Sequence, residues 1–348
     1  MIYNSYADRI KNIVAESRQK KQKEATWGNL TDLKAVANLK KQRLHDQRSF
    51  SSQPHLHENA QPLSVILNNN VIEDAKIGLH PDFKNIKGTD ETVRHYIVSV
   101  FIDIQGSTNL FKEYELEDVF RITNTIQSAA IHTCLAIGGH IQRLQGDGVF
   151  AYFGGKTIEK KRAVEMAVTA CSMITYFVKN DLKNIFLEDG IEDIKTRIGI
   201  DFGDDNSVMW ANFGLMDVSE LTTLSLHTSL ASKMQAYAKP NGIVVGQFAK
   251  DLLQLDEDLF DLVRNSKGEI EKRYIFENEK KNFRYTQYAF DWYKYLKSLP
   301  FVESDSDGNL FIVKAPAKDT HSSIVFPKKD YAALTQLASP NKPWLPQA

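Results

Sequence analysis

The sequence predicts an α+β fold in which helices cover one central sheet, and three stretches carry that reading. Ile97-Val98-Ser99-Val100-Phe101-Ile102 is short, β-branched or aromatic and almost uniformly apolar, so it reads as a strand buried on both faces. An amphipathic segment follows, with Leu110, Phe111, Phe120, Ile126, Ala130, Cys134 and Ile137 as its apolar positions and Gly138-Gly139 as its stop. His140–Gln145 and Val149–Phe153 then flank Gly146-Asp147-Gly148 as the two arms of a hairpin.

The remaining elements follow in chain order. A second helix fits Arg162–Val178, a strand Thr196–Phe202 and a later helix His227–Tyr237. Pro240-Asn241-Gly242 turns the chain into another strand, Ile243-Val244-Val245. The order is βα, hairpin, αβ, αβ. Before this block, Gly88-Thr89-Asp90 reads as a turn, and Leu63–Leu67 is an apolar run with no motif attached. Residues up to about Phe50 are rich in Lys and Arg, among them Arg18, Lys20, Lys21 and Lys23. Ile10, Ile13 and Val14, then Leu33, Val36 and Leu39, recur at helical spacing there, so one or two exposed helices are expected, forming a basic arm that packs on a neighbour. An RNA or membrane contact is the alternative use of such an arm. Ser51 to Pro62 reads as a linker, with His55 and His57 as polar filler rather than metal ligands. The expected division is 1–62, arm and linker; 63–250, the main domain; and 251–348, an extension and tail. In the extension, Phe283–Tyr293 is dense in aromatics, read as core or interface packing rather than RNA stacking. Pro327, Pro340, Pro343 and Pro346 mark an extended tail.

Composition narrows the function classes. The chain has 348 residues, 42% hydrophobic and 25% charged, which is globular. A formal net charge of -1 argues against binding driven by overall attraction to nucleic acid or to a membrane surface. The two cysteines, Cys134 and Cys171, sit in apolar helical stretches and read as buried small hydrophobes. No apolar run approaches the roughly 18 residues of a membrane span, and Met1-Ile2-Tyr3-Asn4-Ser5 lacks a signal-peptide pattern. A soluble cytoplasmic protein is expected.

The chemistry concentrates on two aspartates. Asp103 is read at the end of a buried strand and Asp147 at the tip of a later hairpin. If the strands are neighbours, two hard oxygen ligands meet, suited to Mg²⁺ or Mn²⁺ with substrate phosphates completing the shell. The backbone carbonyl of Ile104 is a further candidate ligand. Gly106-Ser107-Thr108 opens the segment after Asp103, and free N–H groups at a helix start suit a triphosphate. Each piece also has an ordinary structural use: Asp147 as turn chemistry, Asp103 as a helix N-cap.

In combination these residues resemble class III nucleotidyl cyclases. Phe101-Ile102-Asp103-Ile104-Gln105-Gly106-Ser107-Thr108 resembles their first-strand signature and Gln145-Gly146-Asp147-Gly148 their hairpin motif. Arg197-Ile198-Gly199-Ile200, Leu230-Ala231-Ser232-Lys233-Met234 and Pro240-Asn241-Gly242-Ile243-Val244-Val245 are similar to their next strand, late helix and following segment. The resemblance covers roughly 96–250 and implies a mostly antiparallel sheet flanked by helices. It implies two metal ions held by Asp103, Asp147 and the Ile104 carbonyl, and a nucleotide against Phe101, Gly106, Ser107 and Thr108. It also implies a head-to-tail homodimer, with one subunit supplying the aspartates and the other the late-helix groups. The metals then activate the ribose 3′-hydroxyl for attack on the α-phosphate.

The sequence departs from the purine pattern. The base-reading lysine, four residues before the hairpin aspartate, is replaced by Arg143, and the second base-reading position falls on Thr222. The late-helix Asn and Arg become Ser229 and Lys233. Ser229 can still bond a ribose or phosphate; Lys233 keeps the charge and loses the bidentate fork. Their structural alternatives are a surface serine, a solvated lysine and, for Arg143, a cross-strand surface charge. These changes resemble the pyrimidine cyclases of bacterial Pycsar anti-phage systems, whose product activates a separate effector. The expected substrate is UTP, giving cyclic UMP, with CTP and then ATP as alternatives, and a non-catalytic nucleotide-binding module as the contrasting class.

Overall fold

The structure is a computed structural model that describes residues 3–27, 76–187, 189 and 194–312. Leu33, Val36 and Leu39, the linker from Ser51, the run Leu63–Leu67 and the proline-bearing tail lie outside the described residues. α1 (Asn4–Trp27) opens the chain, followed by β1 (Thr92–Arg94), β2 (Ile97–Gln105), a 3-10 segment (Ser107–Lys112) and α2 (Leu116–Ala136). The hairpin β3 (His140–Gln145) and β4 (Gly148–Phe153) leads to α3 (Lys160–Tyr176), a π turn (Phe177–Asp181) and α4 (Lys183–Leu187). Next come β5 (Lys195–Gly203), the hairpin β6 (Val208–Leu215) and β7 (Val218–Ser225), α5 (Leu226–Tyr237), β8 (Gly242–Gly246) and α6 (Gln247–Leu253). β9 (Phe260–Leu262), β10 (Ile275–Asn278), β11 (Phe283–Phe290), α7 (Trp292–Lys297), β12 (Val302–Ser304) and β13 (Leu310–Ile312) complete it.

β2 is central because both of its faces are claimed by apolar neighbours. Val98, Val100, Ile102 and Ile104 point into the main helical core, while Ile97 and Phe101 join a second cluster with Phe150, Tyr152 and Trp210. That two-residue alternation explains the uniformly apolar run. The sheet order is β10-β11-β8-β5-β2-β4-β3, with β9 also on β11. β2 is antiparallel to both β4 and β5, and β5–β8 is parallel, so the sheet is mostly antiparallel as expected. β1, β6 and β7 form a separate three-stranded sheet.

Several expectations are corrected. α1 is not an exposed arm: Tyr3, Tyr6, Ala7, Ile10, Ile13 and Val14 are buried in the main core. It lies antiparallel on α2, with Tyr3 bonding Thr133 at 2.8 Å near one end and Lys21 meeting Glu113 at 3.2 Å near the other. The long helix expected after Gly106 is broken into the 3-10 segment and α2, and Phe111 and Phe120 are exposed. Its stop is as read: Gly138 adopts φ 87, and the N–H groups of Gly138 and Gly139 bond the Leu135 and Cys134 carbonyls, which is a Schellman end. The sheet continues past residue 250, since β9, β10 and β11 belong to it. Within the aromatic stretch, Tyr285, Phe290 and Trp292 are buried. Both cysteines are free and buried. No helix among the described residues is long and apolar enough to cross a membrane.

Three buried histidines make the fold acid-labile. Burial lowers His80 and His132 to about 4 and His140 to about 3. Each is neutral when folded, while the unfolded chain takes up its proton below about 6.5. Their contribution is therefore present above pH 6.5 and is lost as pH falls toward 4, at about 1.4 kcal/mol per unit for each histidine. Asp181, pushed up to about 6 by burial, acts in the opposite sense over part of that range and offsets one of them. The urea midpoint is expected to be lower at pH 5 than at pH 7.5; equal midpoints would contradict this.

Candidate active site

Register alone brings the aspartates together. Asp103 lies within β2, which runs on to Gln105 rather than ending at the carboxylate. Ile102 pairs with Val149 on β4, and Gln145 pairs with Gly148 across the hairpin. Asp103 is thus next in line to Gly148, and Asp147 occupies the adjoining two-residue turn. Gly146 supplies the left-handed position of that turn, at φ 62. The side chain of Gln127, on α2, pins the turn by donating to the Gly146 and Gly148 carbonyls at 3.0 and 3.2 Å.

Asp103 is held from β5. It sits directly opposite Arg197, whose Nε and Nη2 donate to Asp103 Oδ2 at 3.1 and 2.5 Å. The two side chains are 28% and 30% exposed, and a cross-strand pair this open is worth about 0.2–1 kcal/mol. Opening it costs little, so Arg197 is available to a phosphate that approaches Asp103. After Gln105 the chain turns at Gly106, φ 90, into the 3-10 segment that begins with Ser107 and Thr108. Ile104 points its side chain into the core, which leaves only its backbone as a ligand. Among the described residues no group of three or more His, Cys, Asp or Glu forms a metal cluster. The set is instead a pair of hard oxygen donors, which fits a divalent ion whose shell is completed by phosphate oxygens.

The base and ribose candidates occupy other parts of the chain. Arg143 pairs with Phe150 on β4, and Phe150 stacks on Phe101 with centroids 4.1 Å apart. Arg143 Nε donates to Glu220 Oε1 at 3.0 Å, and Nη2 meets Oε2 of the same carboxylate. Thr222 does not partner Arg143; it bonds the Tyr152 hydroxyl at 3.2 Å. From Tyr152 a chain of hydroxyls runs through Thr223 and Thr228 to Ser99 on β2. Ser229 donates to the Ser225 carbonyl at 3.2 Å, and Lys233 is exposed on α5. Among the described residues, no hydrogen bond or ion pair joins Arg143, Ser229 or Lys233 to either aspartate.

α5, which carries Ser229 and Lys233, is fixed at both ends of its contact with β5. Ser225 caps it by accepting the His227 N–H at 3.1 Å. His227 Nδ1 lies 3.0 Å from Asp201 Oδ2, and the Tyr285 hydroxyl donates to Oδ1 at 2.5 Å. Burial pushes the Asp201 carboxyl up, and these bonds oppose it. Further along, Gly199 has no side chain where α5 presses on the strand, because a Cβ there would lie 2.0 Å from the Ala231 carbonyl oxygen. Gln127, Arg197 and Glu220 were not assigned roles from sequence. Arg197 stood inside a recognised motif, so its cross-strand position opposite Asp103 was the available signal; nothing in the sequence marked the other two.

Residues 92–286 match the family model described as the adenylate and guanylate cyclase catalytic domain. A Staphylococcus aureus protein named cytidylate cyclase is 42% identical over 235 residues, covering 67% of this chain and 55% of that protein. An Escherichia coli protein of the same name is 36% identical over 234 residues, covering 65% and 50%. The chain therefore spans about half the length of the curated relatives it matches. The crystal structure of the adenylyl cyclase CyaB from P. aeruginosa is 22% identical, with a TM-score of 0.47, covering 57% of this chain and 95% of that one. With a family match that extends over most of the central sheet and both aspartate positions, the chain belongs to the adenylate and guanylate cyclase catalytic domain family.

Proposed function

We propose that this chain is a cytidylate cyclase, converting CTP to 3′,5′-cyclic CMP and pyrophosphate. The observation that carries the reaction is the placement of Asp103 beside the Asp147 turn by strand register. The choice of base rests on the 42% identity to a protein named cytidylate cyclase, and it replaces the uridylate preference drawn from Arg143 and Thr222. That preference had no feature separating uracil from cytosine, and Thr222 hydrogen-bonds Tyr152.

Asp103, Asp147 and the Ile104 carbonyl are the groups that would hold two divalent ions. Bound there, Mg²⁺ or Mn²⁺ supplies positive charge that lowers the pKa of the ribose 3′-hydroxyl and stabilises the departing pyrophosphate. Arg197 swings from Asp103 to a phosphate oxygen as the triphosphate enters. Gly106, Ser107 and Thr108 offer backbone N–H groups to the same phosphates. The 3′-oxygen bonds to the α-phosphorus, the bond to the β-phosphate oxygen breaks, and the hydroxyl proton passes to solvent.

The active unit in this reading is a head-to-tail homodimer, in which Arg143, Ser229 and Lys233 serve the partner's aspartates. Their lack of any bond to the aspartates of their own chain supports this. So does the apolar tip of the β6–β7 hairpin, where Phe213, Leu215, Met216 and Val218 are all exposed. Lys233 offsets charge developing on the phosphates, and Ser229 orients the ribose. The enzyme acts in the cytoplasm, and its product is a messenger for a separate effector in anti-phage defence. Purified protein assayed with CTP, UTP, ATP and GTP is expected to turn over CTP fastest; faster turnover of UTP or ATP would overturn the choice of base.

A further inference from the structure

We infer that Glu220 and Arg143 together form the edge that reads cytosine, with Glu220 as the residue that separates CTP from UTP. The inference rests on the cytidylate reading above and deepens it. Arg143 uses Nε and one proton of Nη2 to grip Glu220. The pair is half-open, with side chains 50% and 32% exposed. Gln142 fixes the carboxylate from behind, since its Nε2 donates to Glu220 Oε1 at 3.0 Å and to the Leu221 carbonyl at 2.8 Å. What remains free is Nη1, the second proton of Nη2 and a lone pair of Glu220 Oε2.

Where Nη2 meets Oε2, a free donor thus adjoins an acceptor. Cytosine presents the complement along its pairing edge: O2 accepts, N3 accepts and the N4 amine donates. The second Nη2 proton suits N3. The carboxylate beside Nη2 takes the amine. Uracil fails at both positions, because its N3–H meets an N–H and its O4 meets the carboxylate. Turning uracil over changes nothing, since its edge reads acceptor, donor, acceptor from either end. The stacked pair Phe101 and Phe150 lies on the same face of the sheet as Arg143 and offers an apolar surface to the ring. A purine's second ring is a question of room that these groups do not set.

A site built on such bonds rejects a mismatched analogue by at least about 100-fold in kcat/KM. The test is a mixed-substrate assay with equal CTP and UTP, scored as the ratio of cyclic CMP to cyclic UMP. This ratio is independent of the fraction of protein that is folded. Wild-type protein is expected to favour cyclic CMP by that factor. Glu220→Gln puts an amide donor where O4 of uracil arrives, and the ratio should move toward UTP by at least about 10-fold. If wild-type protein makes cyclic CMP and Glu220→Gln and Glu220→Ala lower both products by the same factor, Glu220 only props Arg143 and the inference fails alone. If wild-type protein makes no cyclic CMP, the cytidylate reading fails and takes the inference with it.

Discussion

Asp147→Ala is expected to lower cyclic nucleotide formation by about 1,000-fold or more, which is about 4 kcal/mol of transition-state stabilisation. In the proposed reading the effect is large because two carboxylates would be the only charged protein ligands to the metals, with no acidic cluster of three or more among the described residues to replace one. Removing either leaves the phosphates to hold the ions alone. The fold should survive. Asp147 is partly exposed at a turn, and its carboxylate makes no hydrogen bond or ion pair among the described residues. The left-handed position belongs to Gly146, so alanine at the next residue meets no backbone strain. The Gln127 clamp grips the backbone on either side and is unaffected. A turnover assay with a urea melt on the same protein separates the effects: activity falls and the midpoint stays. Residual activity above a tenth of wild type would remove Asp147 from the metal site.

Gly199→Ala should damage the protein by a different route. A Cβ on Gly199 would sit 2.0 Å from the Ala231 carbonyl oxygen and 2.5 Å from the Gln235 backbone nitrogen. Both are main-chain atoms of α5, so no side chain can rotate away, and the helix itself must lift from β5. Overpacking of this kind costs about 3 kcal/mol. Lifting α5 also strains its tether to the sheet through His227 and Asp201 and displaces Ser229 and Lys233, which the proposed reading assigns to the ribose and the phosphates. The urea midpoint is expected to drop by about 1–2 M for a slope near 2 kcal/mol per M, with turnover reduced in the fraction that remains folded. An unchanged midpoint would mean that α5 packs less tightly on β5 than this structure places it.

Much of the fold was legible because β2 and β8 are largely apolar on both faces, because Ile198, Ile200 and Phe202 of β5 alternate into the core, and because glycines mark the ends. Ile97–Ile102, the stop at Gly138-Gly139 and the turn at Gly146-Asp147 all emerged from residue type and spacing, since each depends on local chemistry. The β6–β7 hairpin did not. Its outer half, Phe213 to Val218, is exposed and apolar, a pattern with no buried face to give it a period. Glu220 sits on that unread hairpin, so the partner of Arg143 stayed hidden. α1 was misjudged for a related reason. Its lysines and arginines outweigh Ile10, Ile13 and Val14 in composition, yet those few apolar residues lie on one stripe that α2 buries. The two aspartates lie side by side by register, while the hold of Arg197 on Asp103 required the β2–β5 register.

The central claim is that the Asp103–Asp147 pair and the Arg143–Glu220 edge act on one cytidine triphosphate. The most direct measurement is ³¹P NMR of CTP incubated with purified protein and Mn²⁺. The account predicts 3′,5′-cyclic CMP and pyrophosphate appearing in equal amounts. Release of CDP and phosphate, or cyclic product from UTP and none from CTP, would contradict it.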